Sequence, residues 1–545
     1  MERRTMKKTI SALLSLILTA VFLGSCSAVT GAEKEINIAI VMSPNTIDPQ
    51  LASDTYSAEV ISFFVTTLYT YNSDNELVPG LAESYDVSED GRIYTFHLKE
   101  GLRWSNGRPI LAEDFVFGAR RLADPDVGSN SVYLITDCCA LKNADEICLG
   151  EKPLNELGVS SPDSRTVVYE LEAPCPYFLA LITMYNFSPC CEDFFNSVGS
   201  DYANSAKTIL SCGAYIIDRY EPLAMQVHFS KNPYYFDADK IKTDGITLQV
   251  IANDQQSLMC YESEVVDVMT VKGEIAELAV GDPELKVYSS ASITYMDINH
   301  RTSSALANKN IRMALCKSID RADLTENLLK AGNAPLTRIV PPGFYRETDG
   351  SDFAGDTSRY DEYAVYDPDA AGKLWKQGLG ELGISSVTLN LVYNASSAPV
   401  AEAITAHMKR TLPGLEINLK PVTLKERSRM HEAGEYDLIL VGWMADYCDP
   451  TAFLSQFISD AHKCAFNDPG YDEIYDTCQS EEVANDAERR ISLMHDAESV
   501  LMENTAAVPL YTTGEAYLVR DNVKGFRLTP TGVGLIVTDL EKEAV

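Results

Sequence analysis

Apolar positions recur along this chain with two periods, and the changes between them mark its elements. After Lys34 the run EINIAIVMSPNTIDPQ reads as a strand ending in a Pro-punctuated loop, and Glu59 to Tyr69 follows as an apolar, helix-like segment. Tyr94, Phe96 and Leu98 occupy every second position, which predicts a strand with one buried face and puts His97 on the solvent side. Ser105-Asn106-Gly107 is a turn, and Ala112 to Arg121 is a helix with Glu113 and Asp114 in its first turn. Farther on, YDPDAAGKLWKQGLGELGI predicts a helix closed by Gly383, followed by the strands VTLNLVY and LEINLKPV. Tyr436 to Val441 is a continuous apolar run of strand length, and GWMADYCDP, from Gly442 to Pro450, begins where it stops. This alternation runs to the C-terminus and predicts a mixed α/β class. No repeat with a period of roughly 20–50 residues is present, and no low-complexity linker separates halves, so domains are expected to interleave.

One segment follows neither period. Met1 to Lys8 carries Arg3, Arg4, Lys7 and Lys8, and Thr9 to Leu23 is then almost uninterruptedly apolar. That core is shorter than the ~20 residues of a membrane-spanning helix and predicts a signal peptide over residues 1–25. Leu23-Gly24-Ser25-Cys26 resembles the lipobox of bacterial lipoproteins, which implies acylation of Cys26. Two or three acyl chains make release slow, so the expected location is the outer face of the cell membrane, or the periplasm. Residues 26–33, small and polar, read as a tether.

The 545 residues hold 45 basic and 79 acidic side chains, a net charge of −34. Loss of the signal removes four basic residues and only Glu2, so the exported body is more acidic still. Such a surface repels phosphate backbones, and no nucleic-acid partner is expected. At ~100–200 residues per domain the body has room for two to four. Besides Cys26 there are twelve cysteines; export permits disulfides, but spacing does not give connectivity, and a reading as small buried hydrophobes stays equally open.

Enzyme signatures are missing. There is no G-x-S-x-G elbow, no phosphate loop and no G-x-G-x-x-G. His431-Glu432-Ala433-Gly434-Glu435 lacks the second His that zinc would require and reads as a helix end. The seven His offer no pair at i, i+4. Neither catalysis nor a metal or cofactor is expected.

Several segments, in their order, resemble the oligopeptide-binding proteins of peptide ABC transporters, within the extracellular solute-binding proteins of family 5. They are PGLAESYDVSEDGRIYTFHLKEGLRWSNGRPILAEDFVFGARRLADP, GAYIIDRYEPLAMQVHFSKNPYYFDADKI, NIRMALCKSIDRADL with IVPPG, YDPDAAGKLW, GWMADYCDPTAFL and VPLYTTGEAYLV. The resemblance implies a periplasmic-binding-protein-like fold of type II with two lobes and an additional domain. Lobe I would use residues 34–65, 191–292 and 514–545, the additional domain 66–190, and lobe III residues 293–513. Two connections between the lobes would form a hinge, and ligand would be enclosed as they close. The expected partners are short peptides and membrane permease subunits, with the receptor a monomer.

A receptor tolerant of peptide sequence must read what all peptides share: an ammonium, a carboxylate and a backbone. Strand addition reads the backbone irrespective of side chains, and the ammonium then needs one desolvated carboxylate at the end of that strand. The resemblance places Asp446 at this position, and Gly442, Trp443, Met444 and Ala445 on the pairing strand. Gly442 lets a second backbone approach, and Trp443 supplies a flat wall. Ser53, Asp54 and Thr55 match the pairing segment of the opposite lobe. Tyr295 and Asp297 match pocket positions, though alternate residues of a strand share a face in any strand. Asp446 could instead cap the turn into the helix near Pro450, for which Asp449 is the better placed residue.

At the carboxylate end the chain departs from the enteric pattern, with Leu440, Pro399 and Thr302 where those receptors carry basic residues, and His431 at a further one. Arg301 and Lys272 lie nearby as replacements. Met444 stands where enteric members have a cysteine, so their disulfide is not expected. The same fold could also serve a nickel chelate, haem, a sugar, or a cell-wall or signalling peptide. An exported peptidase is the remaining class, and it lacks a nucleophile or metal constellation.

Overall fold

Two long antiparallel strands, Leu285–Ile298 and Ala507–Val519, organise the molecule. The computed structural model describes residues 34–543 except 222, 224, 331, 357–360, 460–465, 484–485 and 532–533. The expected signal peptide, Cys26 and the tether lie outside the described residues. Among the described residues no helix is long and apolar enough to cross a membrane.

The long strands sit mid-way in an eleven-stranded sheet. On one side Leu285–Ile298 pairs with Leu438–Met444, beyond which lie Val387–Asn394 and Leu415–Val422. On the other, Ala507–Val519 pairs with Val268–Thr270, followed by Glu35–Ile40, Gly245–Val250, Gln226–Lys231 and Tyr215–Arg219. The fold is therefore two lobes that share two strands. The register of those strands shifts between Ser289 and Ile293, and shifts of this kind bend a ladder. There Gly514 meets Gly332 backbone to backbone: a Cβ on Gly514 would lie 2.3 Å from the Gly332 carbonyl carbon and oxygen.

A separate antiparallel sheet holds Ala82–Val87, Ile93–Leu98, Thr166–Glu170 and Val159–Asp163. Tyr94, Phe96 and Leu98 are buried as the alternation predicts, and His97 faces outward beside Asp86 at 3.0 Å. Its core runs into that of the Leu438–Met444 lobe, whereas Ile36, Ile38, Phe63, Phe64 and Phe229 form a second core. Phe63 stacks on Phe229 at 4.9 Å. Each such buried ring contributes about 1.5–3 kcal/mol of transfer free energy.

Helices follow their cap signals. Asp367 accepts from the Ala370 N–H at 2.9 Å to open Pro368–Leu382, and Gly383, at φ +68°, closes it. The helix expected from Glu59 runs over Thr55–Phe64 instead, because Asp54 caps it earlier and the chain turns extended at Val65. Leu424–Glu432 ends at Ala433, so the His431 to Glu435 segment is a helix end. Cys139, Cys175, Cys190, Cys191, Cys212, Cys316 and Cys478 are buried thiols. Burial pushes Cys190 up to about 11 and Cys212 up to about 12, so these thiols stay protonated and unreactive near neutrality.

Candidate functional site

Leu438–Met444 is buried through Val441 because it lies between neighbours, yet its pairing is lopsided. On one edge Leu438 to Met444 pairs throughout with Ile298 to Ser292, and the Ala445 N–H continues the ladder to the Ala291 carbonyl at 2.9 Å. On the other edge the partner Val387–Asn394 reaches only Leu438 and Ile439. From Leu440 onward the sheet offers that edge no further strand among the described residues. Such an edge is a template for an added strand.

Where this strand ends, Met444, Ala445 and Asp446 line a cavity of about 550 Å³, within the range of ligand pockets. Ser53, Asp54 and Thr55 line it from the other lobe, and Thr67, Tyr71, Tyr133, Tyr185 and Asn186 from the segment between. Among the described residues that line it, the charged ones are Asp54 and Asp446. Asp446 is half-buried, and its Oδ1 accepts from the Tyr133 hydroxyl at 3.0 Å. Burial, and after it the Asp446 carboxylate, hold the Tyr133 phenol well above its ordinary range. Tyr185 is raised in the same way, first by burial, then by Asp54 and Asp446.

The turn that carries Asp446 is anchored on both sides. Tyr447 stacks on Tyr177 at 4.4 Å, nearly parallel. Asp449 takes two 2.8 Å hydrogen bonds from Arg490, with both side chains at most 5% exposed. It also accepts from the Thr451 N–H at 3.0 Å, from one position before the N-cap, which is Pro450 and not Asp449 as its position had suggested. The opposite wall is fixed by Arg121, which donates to both Asp48 oxygens and to Gln50 Oε1.

Other expected site residues lie elsewhere. Gly442 is exposed, with open space where a Cβ would stand, and Trp443 donates its Nε1 hydrogen to the Ala452 carbonyl at 2.8 Å; neither lines the cavity. Tyr295 and Asp297 do share a strand face, but it is packed, at 2% and 1% exposure, as is the opposite face with Met296 and Ile298. Asp297 accepts from the Tyr436 hydroxyl at 2.7 Å and lies 2.9 Å from His431 Nε2. His431 is thus committed to a buried pair and does not reach the cavity as a carboxylate partner. Arg301 and Lys272 are exposed and line no part of it; Lys272 precedes the helix Gly273–Leu278, where its charge acts on Glu515. Tyr133, Tyr185 and Asn186 are members of the site that sequence reasoning missed, since nothing local in YLITDCC or YNFSPC points at a cleft. Among the described residues no cluster of His, Cys, Asp and Glu could hold a metal ion.

A profile described as bacterial extracellular solute-binding proteins, family 5 Middle, matches residues 76–463. The dipeptide-binding protein of Lactococcus lactis subsp. cremoris (strain MG1363) is 28% identical over 533 residues, 95% of this chain and 96% of that one. The Listeria monocytogenes OppA bound to peptide superposes with a TM-score of 0.71 at 28% identity, covering 94% of this chain and all of the other. The substrate-binding domain of an oligopeptide ABC transporter from Bacillus anthracis str. Ames gives 0.71 at 28% identity, covering 94% and 99%.

Proposed function

Because the chain belongs to the bacterial extracellular solute-binding proteins of family 5, we propose that it captures short peptides between its lobes and delivers them to an ABC-type permease. Similarity to a dipeptide-binding protein, a peptide-bound receptor and an ABC transporter substrate-binding domain supports the ligand and the partner. Asp446 is the observation that carries the reading. A carboxylate at the end of a strand with an open edge, facing a cavity between lobes, can neutralise a peptide ammonium while the ligand backbone pairs alongside. Ser53, Asp54 and Thr55 face it across the same cavity.

In this reading lobe I comprises residues 34–65, 191–292 and 514–545, the additional domain 66–190 and lobe III 293–513. The register shift after Ser289 and the Gly514–Gly332 contact form the hinge. The protein performs no covalent chemistry, acts as a monomer and is held to the membrane through lipid on Cys26.

Calorimetric titration with tri- to pentapeptides, beside their N-acetylated forms, tests the assignment. Acetylation removes the charge that Asp446 neutralises, and truncating one partner of a desolvated charge pair costs about 2–5 kcal/mol. Affinity should therefore fall at least thirtyfold by that measure. Equal affinity for free and acetylated peptides would remove Asp446 from the role.

A further inference from the structure

Tyrosines from residues 66–190, the additional domain, grip the turn that carries Asp446 at three consecutive positions. Tyr133 donates to Asp446 Oδ1 at 3.0 Å. Tyr177 stacks on Tyr447, with ring centres 4.4 Å apart and planes 7° from parallel. Tyr71 donates to the Cys448 sulfur, whose own hydrogen goes to the Phe344 carbonyl at 3.0 Å. Asp446, Tyr447 and Cys448 of lobe III are thus each met by a ring from a different part of the additional domain. At the rim Arg92 pairs with Glu481.

The additional domain meets lobe I in another manner. Arg121 donates to both Asp48 oxygens, with side chains 6% and 5% exposed. The Ser129 and Ser131 hydroxyls donate to the Gln50 and Ala52 carbonyls at 2.6 and 3.0 Å, and Asn186 donates to the Pro49 carbonyl at 2.8 Å. Parting this junction would strand a buried charge, which is strongly disfavoured. The tyrosine seam is built from rings and hydroxyls, and water can take over each of its hydrogen bonds. Arg490, 5.8 Å over the Tyr177 ring, keeps its Asp449 partner when the seam parts. The seam against lobe III is therefore the junction that opens.

We propose that the additional domain moves with lobe I and that its tyrosine seam is a latch, which holds lobe III closed over the cavity in the ligand-free protein and makes opening the gate for peptide entry and exit. The inference rests on the peptide-receptor reading for the kinetic part of its test. A latch that favours the closed form with and without ligand slows both directions alike: association needs the open fraction, and dissociation needs the bound form to reopen. Affinity is then nearly indifferent to the latch while the closed form dominates.

The test is stopped-flow binding of an unblocked tripeptide to the full exported chain, beside Tyr177→Leu and Tyr177→Phe. Tyr177 lines no part of the cavity, so neither change touches the ligand. Leucine removes the stack. Association and dissociation should both quicken by about two- to tenfold, the worth of one aromatic pair, with affinity held within about twofold. Phenylalanine keeps the ring on Tyr447 and gives up only the bond to the Cys138 carbonyl, which lies within the additional domain, so its rates should stay near those of the parent. Unchanged rates in Tyr177→Leu overturn the latch, as does Tyr177→Phe matching Tyr177→Leu. Dissociation quickening alone means that the seam forms only after ligand arrives, and overturns it too. Small-angle scattering of the unaltered protein is the second measurement and decides alone should Tyr177→Leu fail to fold. The ligand-free curve should match this structure and stay in place when the tripeptide is added; an open body that compacts with peptide refutes the proposal. If the tripeptide does not bind at all, the peptide-receptor reading falls, and the ligand-free curve still judges the latch.

Discussion

Arg490→Met should break the anchor of the turn that carries Asp446. Arg490 and Asp449 form a two-bond pair with side chains 5% and 3% exposed. Methionine keeps most of the stem and removes the charge. Asp449 then stays buried with the Thr451 N–H and hydroxyl as donors, and breaking one side of a buried pair costs about 3–5 kcal/mol. The Arg490 bond to the Cys478 carbonyl at 3.3 Å is lost as well. Against a total stability of about 5–15 kcal/mol for a folded domain, that is a large share. Urea unfolding followed by circular dichroism and by tryptophan fluorescence should show the midpoint falling by about 1 M or more, given slopes of about 1–3 kcal/mol/M. Trp443, whose indole donates to Ala452 in the helix after the turn, is the local reporter. Peptide affinity should fall too, because Asp446 stands three residues before Asp449 in the same turn. Asp449→Asn added to Arg490→Met removes the stranded charge and keeps an acceptor for Thr451, so the double variant should recover to within about 2 kcal/mol of the parent. A single variant that loses less than about 1 kcal/mol, or a double variant no better than the single, would refute the ion pair as the anchor.

Three further outcomes follow from the same structure. Tyr133→Phe removes a donor to Asp446, and affinity for unblocked peptides should drop about fivefold, the equivalent of one hydrogen bond, with no change for acetylated peptides in the same titration. Glu59 is raised from 4.5 to about 7, first by burial and then by the Glu515 carboxylate. A folded-state value above the unfolded one means that its contribution is fullest below about 4.5 and is lost as pH rises through about 7; Glu59→Gln should therefore flatten the pH dependence of stability and gain about 1–3 kcal/mol above neutrality, read by urea midpoints between pH 4 and pH 8. Gly514→Ala drives a Cβ into the Gly332 backbone, so the variant should lose about 1–3 kcal/mol, and small-angle scattering with and without peptide should show lobe closure altered.

Periodicity exposed the strands and helices because each has a dry face that repeats along its own sequence. Tyr94, Phe96 and Leu98, or the helix between Asp367 and Gly383, need no knowledge of the rest of the chain. The site is different. Asp446 stands out from the other acids only through a motif; its donor Tyr133 is 313 positions away, and no local pattern encodes a contact at that separation. The same limit explains Tyr295, Asp297 and His431. Alternation correctly set Tyr295 and Asp297 on one face, but it carries no sign that tells a cleft from a packed layer. Asp297 can lie in that layer because His431 and Tyr436 meet it there, two residues whose own spacing gives no hint of the pairing.

Charge shows why position outweighs composition at this site. With 79 acidic residues in the chain, an excess of carboxylates identifies no site, and most of them are screened by water. Asp446 and Asp54 differ from the remainder by sharing one cavity with no described cation. Asp446 also follows a strand whose pairing on one edge ends at Ile439 while the other edge continues to Met444. In the proposed reading an incoming peptide would meet a backbone ladder and a charge in fixed order along that edge, and its direction would be set by the strand before any side chain is read. A ligand running the opposite way would place its own carboxylate against Asp446, and like-charge contact of that kind costs several kcal/mol. On that reading specificity for peptide direction would come from repulsion as much as from pairing, and neutralising Asp446 should admit carboxyl-end binders as well as weaken amino-end ones.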